Sequence, residues 1–224
     1  MEKKSLFGTS GIRGHAVKLF TNQFCFDLGR TFAIFLKKHK KRGSVAVGMD
    51  PRGSSPRIKD SIVAGLIYEG VEVFDQGATP VPSMCYILKV SEYYAGSIMV
   101  SGSHIKADLN GVKFFAFEEE ILKKNEKEIE DIYNFLNSNR KITNKKSVDH
   151  EIHYENRANE EYKDMLFSIA KRPYKNWKVV VDPGDGAQSD TMPFILSELG
   201  VNVIEINATI QGEFYARDTE HLPD

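Results

Sequence analysis

Short apolar runs alternating with segments of helical spacing constrain this chain more than any other feature. Val45 to Met49 is apolar, Ser54 to Glu69 places Ile58, Ile62, Leu66 and Ile67 on one helical face, and Val71 to Phe74 is apolar again. That order reads as strand, helix, strand with short connections, the pattern of a parallel or mixed sheet. Ahead of it, Phe24, Leu28, Phe32, Phe35 and Leu36 recur at three- and four-residue spacing after the cap candidate Thr21, which predicts a helix from Asn22 to Lys41. Behind it, Pro80 to Val90 reads as a helix, and Tyr94 to Val100 and Val112 to Phe117 read as strands. Four strands and about three helices make one α/β layer structure. The basic run Lys37, Lys38, Lys40, Lys41 and Arg42 is read as a solvated helix end, where the dipole favours cations.

A polar stretch from Asn125 to Asp149 reads as a helix followed by a linker. It divides the chain into a first domain at residues 1–138, a linker at 139–153 and a second α/β unit at 154–224. In the second unit Tyr154 to Ala170 and Gln188 to Leu199 read as helices, and Trp177 to Val181 and Val201 to Ile206 as strands. Two strands leave that unit incomplete. The 30 Lys and Arg residues nearly balance the 31 Asp and Glu residues, so no polyelectrolyte partner is written into the chain and nucleic-acid binding is not expected. No run approaches the ~18 apolar residues of a membrane span, and Met1 to Ser10 carries no signal-like apolar stretch, so the expectation is a soluble cytoplasmic protein with no membrane partner. Cys25 and Cys85 sit among apolar residues without CxxC spacing and are read as packing residues.

Three loops at presumed strand ends, where ligands bind in α/β sheets, carry polar residues and glycines. Phe7 to Gly14 reads FGTSGIRG, and its glycines, Thr9, Ser10 and Arg13 can present backbone amides and a guanidinium to a phosphate. Gly48 to Ser55 reads GMDPRGSS, in which Asp50 and Arg52 suit an ion pair and Ser54 or Ser55 a helix cap. Ser101 to Lys113 reads SGSHIKADLNGVK, with Ser103 beside His104 and Lys113 beyond a turn expected at Asn110 and Gly111. A serine that carries a phosphoryl group needs exposure, a proton acceptor and positive charge, and this loop supplies all three types.

These motifs, followed by VVVDPGDGA at Val179 to Ala187, resemble in order and approximate spacing the α-D-phosphohexomutase family, which includes phosphomannomutase, phosphoglucomutase and phosphoglucosamine mutase. The resemblance spans Leu6 to Asp224 and implies a three-layer α/β/α first domain followed by a truncated second α/β unit. It implies that Ser103 carries the transferred phosphoryl group and that His104 and Lys113 assist proton transfer and neutralise charge. Arg13, Ser10, Thr9, Asp50 and Arg52 are the expected phosphate and substrate contacts. The family's Mg²⁺ is held by the phosphoserine and three aspartates of a DGDGD loop. Only Ser103, through its phosphate, has a counterpart here, so stable Mg²⁺ binding by this chain is not expected.

The motifs also depart from the family pattern. Ser101 and Gly102 replace the first two residues of a loop that commonly reads TASHNP, and Ile105 and Lys106 replace its Asn-Pro pair, removing a fixed dihedral. Met49 stands where the family often has Arg. The acids Asp182 and Asp185 in DPGDG are read as a turn rather than a metal loop, and GDGAQS only half-matches a dinucleotide fingerprint. Two functions follow. The chain is either the N-terminal part of an intramolecular phosphotransferase acting on hexose phosphates, inactive alone, or a non-catalytic sugar-phosphate-binding or regulatory module. The open second unit predicts a homodimer, with a C-terminal partner chain as the competing explanation.

Overall fold

A computed structural model describes residues 5–139, 151–170 and 173–212. A mixed sheet organises the first part of the chain. Its strands are β1 (Ile12–His15), β2 (Ser44–Met49), β3 (Val73–Ala78), β4 (Tyr94–Val100), β5 (Leu109–Ala116), β6 (Glu119–Glu120) and β7 (Ile152–Tyr154). They lie in the order β1-β5-β4-β2-β3-β7, with β6 on β5. Strand β2 pairs in parallel with β3 and β4, and β3 with β7, whereas β5 runs antiparallel to β1, β4 and β6.

Side-chain alternation builds the two faces. Val45, Val47, Ile98, Val100 and Phe114 join one buried cluster with α1 (Asn22–Lys38) and α2 (Ser55–Tyr68). Their neighbours Ala46, Met99 and Phe115 join another with α3 (Val81–Val90) and Ala158 of α5 (Arg157–Ile169). A strand sends successive side chains to opposite faces, so apolar residues at consecutive positions require a helix layer on each side. The fold is therefore the expected three-layer α/β/α sandwich. Helix α4 (Lys123–Ser138) packs beside α1.

Helix α1 starts where its sequence requires, the Thr21 hydroxyl accepting the Phe24 amide hydrogen at 3.2 Å. It stops short of Lys41. Lys40 turns left-handed at φ 55°, and the Lys41 and Lys40 amides donate back to the carbonyls of Leu36 and Lys37, a helix-ending motif usually built on glycine. Lys38 meets Glu128 at 2.6 Å, so part of the basic run is satisfied within the fold. Burial pushes the Cys25 thiol up to about 12 and raises that of Cys85, as their packing environments require.

Helices α1 and α2 touch backbone to backbone. A Cβ on Gly29 would overlap the Ile62 carbonyl oxygen, and one on Gly65 would overlap that of Phe26. Alanine in a helix interior normally stabilises by about 1 kcal/mol over glycine. Here Gly29→Ala is expected to destabilise by about 1–3 kcal/mol through overpacking. Urea denaturation reads the sign directly, and a gain in stability would contradict this crossing.

Several elements differ from the sequence expectation. Strands β1, β6 and β7 are short and carry little periodicity of their own, so the sheet has seven strands rather than four. Asn110 and Gly111, expected in a turn, lie inside β5 opposite Gly14 and Arg13, because pairing with β1 claims them for the ladder. Tyr154 belongs to β7, and the helix expected from it begins at Arg157 and packs on α3. Gln76 and Tyr94 both donate to the Glu155 carboxylate, and the Ala158 amide donates to Gln76, tying this connection to the first sheet. Linker residues 140–150 lie outside the described residues. Beyond them, β8 (Lys178–Val181) and β9 (Asn202–Glu205) pair in parallel, joined through α6 (Met192–Glu198). Among the described residues no helix is long and apolar enough to cross a membrane.

Candidate active site around Ser103

The parallel strands β2 and β4 end side by side, and the turn after β2 builds the loop after β4. Asp50 and Arg52 leave β2 and point inward. The Asp50 carboxylate accepts hydrogen bonds from the Ser101 hydroxyl (2.9 Å), the Gly102 amide (2.9 Å) and the Ser55 hydroxyl (2.6 Å). Its ion pair with Arg52 Nε spans 3.1 Å. The guanidinium then reaches into the serine loop. Nη2 donates to the carbonyls of Ser103 (2.9 Å) and Ile105 (2.6 Å), and Nη1 to those of Lys106 (2.8 Å) and Leu109 (3.4 Å). Arg52 is 1% exposed. One planar fork thus supplies donors to the part-buried carbonyls of four residues at once.

The resemblance names Asp50 and Arg52 as phosphate contacts; here they form the ion pair that their spacing suits and hydrogen-bond to the serine loop. Their polar groups are spent on the loop, so they shape the site from beneath. This arrangement also explains how a loop without the Asn-Pro pair keeps its form, since Arg52 holds the carbonyls of both replacement residues. Gly102 leaves room for that grip, because a Cβ there would stand 2.6 Å from Arg52 Cζ. Ser54 occupies the N-cap position of α2, as expected for one of the two serines, but neither hydroxyl makes a side-chain cap hydrogen bond. Their hydroxyls instead accept from Asn110 Nδ2, at 2.8 and 3.0 Å.

Held in this way, Ser103 occupies the left-handed region at φ 57°, and its amide donates to the Ser101 hydroxyl at 2.9 Å. A serine there is strained by about 1–3 kcal/mol and persists only where its surroundings impose it. The conformation leaves its side chain exposed, with Oγ 3.3 Å from His104 Nδ1. Oxygen and imidazole are thus paired at the protein surface, in the arrangement a hydroxyl needs to lose its proton.

The remaining predicted residues come from the β1–β5 side. Lys113 Nζ donates to Ser10 Oγ at 2.6 Å and stands 3.3 Å from Glu120, whose carboxylate also accepts from Ser10 at 2.6 Å. Arg13 is exposed on β1 opposite Gly111, two residues before Lys113, so both cations emerge on the same face of the sheet. Thr9, next to Ser10 in the chain, is exposed. Sequence reasoning missed Glu120, which sits in a two-residue strand with no local signal, and Ser101, whose hydroxyl links Asp50 to the Ser103 amide.

The donors do not fit a magnesium ion. Among the described residues no three His, Cys, Asp or Glu side chains converge, Asp182 accepts the Gly184 amide, and Asp185 accepts that of Thr209.

Residues 4–140 match the family model described as phosphoglucomutase/phosphomannomutase, alpha/beta/alpha domain I. The chain is 35% identical over 208 residues to the phosphoglucosamine mutase of Alkaliphilus oremlandii, covering 92% of this chain and 46% of that protein. It is also 35% identical over 210 residues to the phosphoglucosamine mutase of Caldanaerobacter subterraneus, covering 93% and 46%. A phosphoglucomutase/phosphomannomutase family protein from Burkholderia thailandensis shares the fold at a TM-score of 0.78 and 22% identity, over 97% of this chain and 47% of that structure. The chain spans about half the length of the curated relatives it matches. Motif order, three-layer sheet and family match together place this chain in the phosphoglucomutase/phosphomannomutase family.

Proposed function

We propose that this chain is the phosphoserine-bearing part of a phosphohexomutase, and that Ser103 is the phosphoryl carrier. The observation that carries the reading is Ser103 itself, strained and exposed with its Oγ 3.3 Å from His104 Nδ1. In the proposed step the Ser103 Oγ–phosphorus bond forms as a phosphorus–oxygen bond of a hexose bisphosphate breaks. The serine proton passes to His104 Nδ1, and the departing sugar oxygen takes up a proton. Lys113 and Arg13 contribute positive charge, since phosphoryl transfer relies mainly on positioning and electrostatics. The names of the relatives favour glucosamine phosphate as the substrate.

Half of the relatives' length has no counterpart here, and the ligands that complete a magnesium site are assigned to it. The chain alone is therefore expected to accept a phosphoryl group without turning over. Incubation with glucosamine 1,6-bisphosphate, followed by peptide mass analysis, should show one phosphoryl group on Ser103 and no steady interconversion of the monophosphates. An unmodified Ser103 would remove the reading in favour of a binding module, and sustained turnover would refute the inactive-alone part.

For assembly, the reading is a homodimer in which two second units cover each other's β8–β9 face, where Val180 is 60% and Ile204 40% exposed. Light scattering at micromolar concentration should report twice the chain mass. A clean monomer there excludes it.

A further inference from the structure

Residues 207–212 run from the second unit onto the turn that carries Arg52. Asp185, 5% exposed and itself left-handed at φ 54°, fastens this strap. Its amide donates to the Asn207 carbonyl at 2.6 Å, its carboxylate accepts the Thr209 amide at 3.1 Å, and its carbonyl accepts the Gln211 amide at 3.4 Å. At the far end the Gly212 backbone rests on Pro51–Gly53. A Cβ on Gly212 would overlap the Pro51 carbonyl oxygen and stand 2.9 Å from the Gly53 nitrogen and 3.3 Å from the Arg52 carbonyl carbon. Gly212 is not left-handed, so a side chain there tests this contact without added backbone strain.

We infer that this strap positions the Ser103 loop. Asp185 anchors it, Gly212 seats it on the Pro51–Gly53 turn, and Arg52 relays that placement to the carbonyls of Ser103, Ile105 and Lys106. The relay has little slack because Arg52 is buried and its guanidinium already engages Asp50 and four carbonyls. A shift of the turn must carry the guanidinium with it or break those bonds. Asp185 and Gly212 are thus positioning residues, and the DPGDG turn gains a role that metal or dinucleotide binding does not supply. The inference rests on the proposed function only in naming Ser103 as the reacting residue.

Amide hydrogen exchange on the whole chain tests it at Gly102, Ser103, Ile105 and Leu109, whose amides are hydrogen-bonded in the loop. Gly212→Val should speed their exchange about tenfold or more while leaving the amides of β2 and β4 unchanged. Asp185→Gly, which tolerates the left-handed backbone but lacks the carboxylate, should do the same, and Asp185→Asn, which keeps an acceptor, should behave as the parent protein. Ser103 phosphorylation should slow in the first two variants and recover in the third. Unchanged loop exchange in Gly212→Val or Asp185→Gly, equal acceleration throughout β2 and β4, or an Asp185→Asn variant as loose as Asp185→Gly would each overturn the strap. Exchange needs no reaction at Ser103, so an unphosphorylated parent protein with a strap-dependent loop refutes the proposed function alone.

Discussion

Arg52→Met is expected to lower the unfolding free energy by about 3–5 kcal/mol, a large part of the 5–15 kcal/mol typical of a domain. Methionine fills much of the volume but takes the donors away from four carbonyls and the counter-charge away from Asp50. Removing one partner of a buried pair leaves the other uncompensated. Asp50 retains the Ser101 and Ser55 hydroxyls and the Gly102 amide, so the carbonyls bear much of the damage. Arg52→Lys is expected to recover little, because one ammonium with three donors cannot span residues 103 to 109 as the planar fork does. Urea denaturation of both variants measures this. A loss below about 1 kcal/mol for Arg52→Met would show that the loop holds itself.

At Ser103, chemistry and stability are expected to move in opposite directions. Ser103→Gly removes the hydroxyl, so the phosphoryl group found on the parent chain should be absent, a complete loss rather than a slowing. Glycine also adopts φ 57° without the steric penalty of a side chain, so the same substitution should stabilise the fold by about 1 kcal/mol. Ser103→Ala should abolish phosphorylation equally and keep the strain. His104→Ala should leave the phosphorylation site intact but slow its modification by a factor of about 10²–10⁴, the usual contribution of a positioned base. Mass analysis combined with thermal denaturation reads both effects on one sample. Phosphoryl transfer to another residue in Ser103→Ala, or a destabilised Ser103→Gly, would contradict the respective half.

The two largest effects therefore fall on the serine loop and on the side chain that supports it, for opposite reasons. Arg52 contributes stability that holds Ser103 in an unfavourable conformation, and that conformation exposes the hydroxyl beside His104. In the sequence the Asp50–Arg52 pair was legible as an ion pair, but not as the support of a loop some fifty residues away. Ser103, His104 and Lys113 were recognisable as residue types suited to phosphoryl transfer. The bond from Lys113 to Ser10 and Glu120 joins residues that no local spacing connects.

By itself the sequence determined the β-α-β alternation, the buried faces of α1 and α2, the Thr21 cap and the loops that carry polar chemistry. Each depends on interactions within a few residues, where the periods of helix and strand impose a pattern on side-chain type. Only the tertiary structure decided that Ile12–His15 is an edge strand, that Asn110 and Gly111 lie in a ladder, that Gly29 and Gly65 mark a helix crossing, and that Asp50 and Arg52 face inward. Those outcomes are set by partners distant along the chain. A glycine or arginine looks the same in sequence whether it turns a loop, admits a neighbouring backbone or holds four carbonyls, and packing is what distinguishes them.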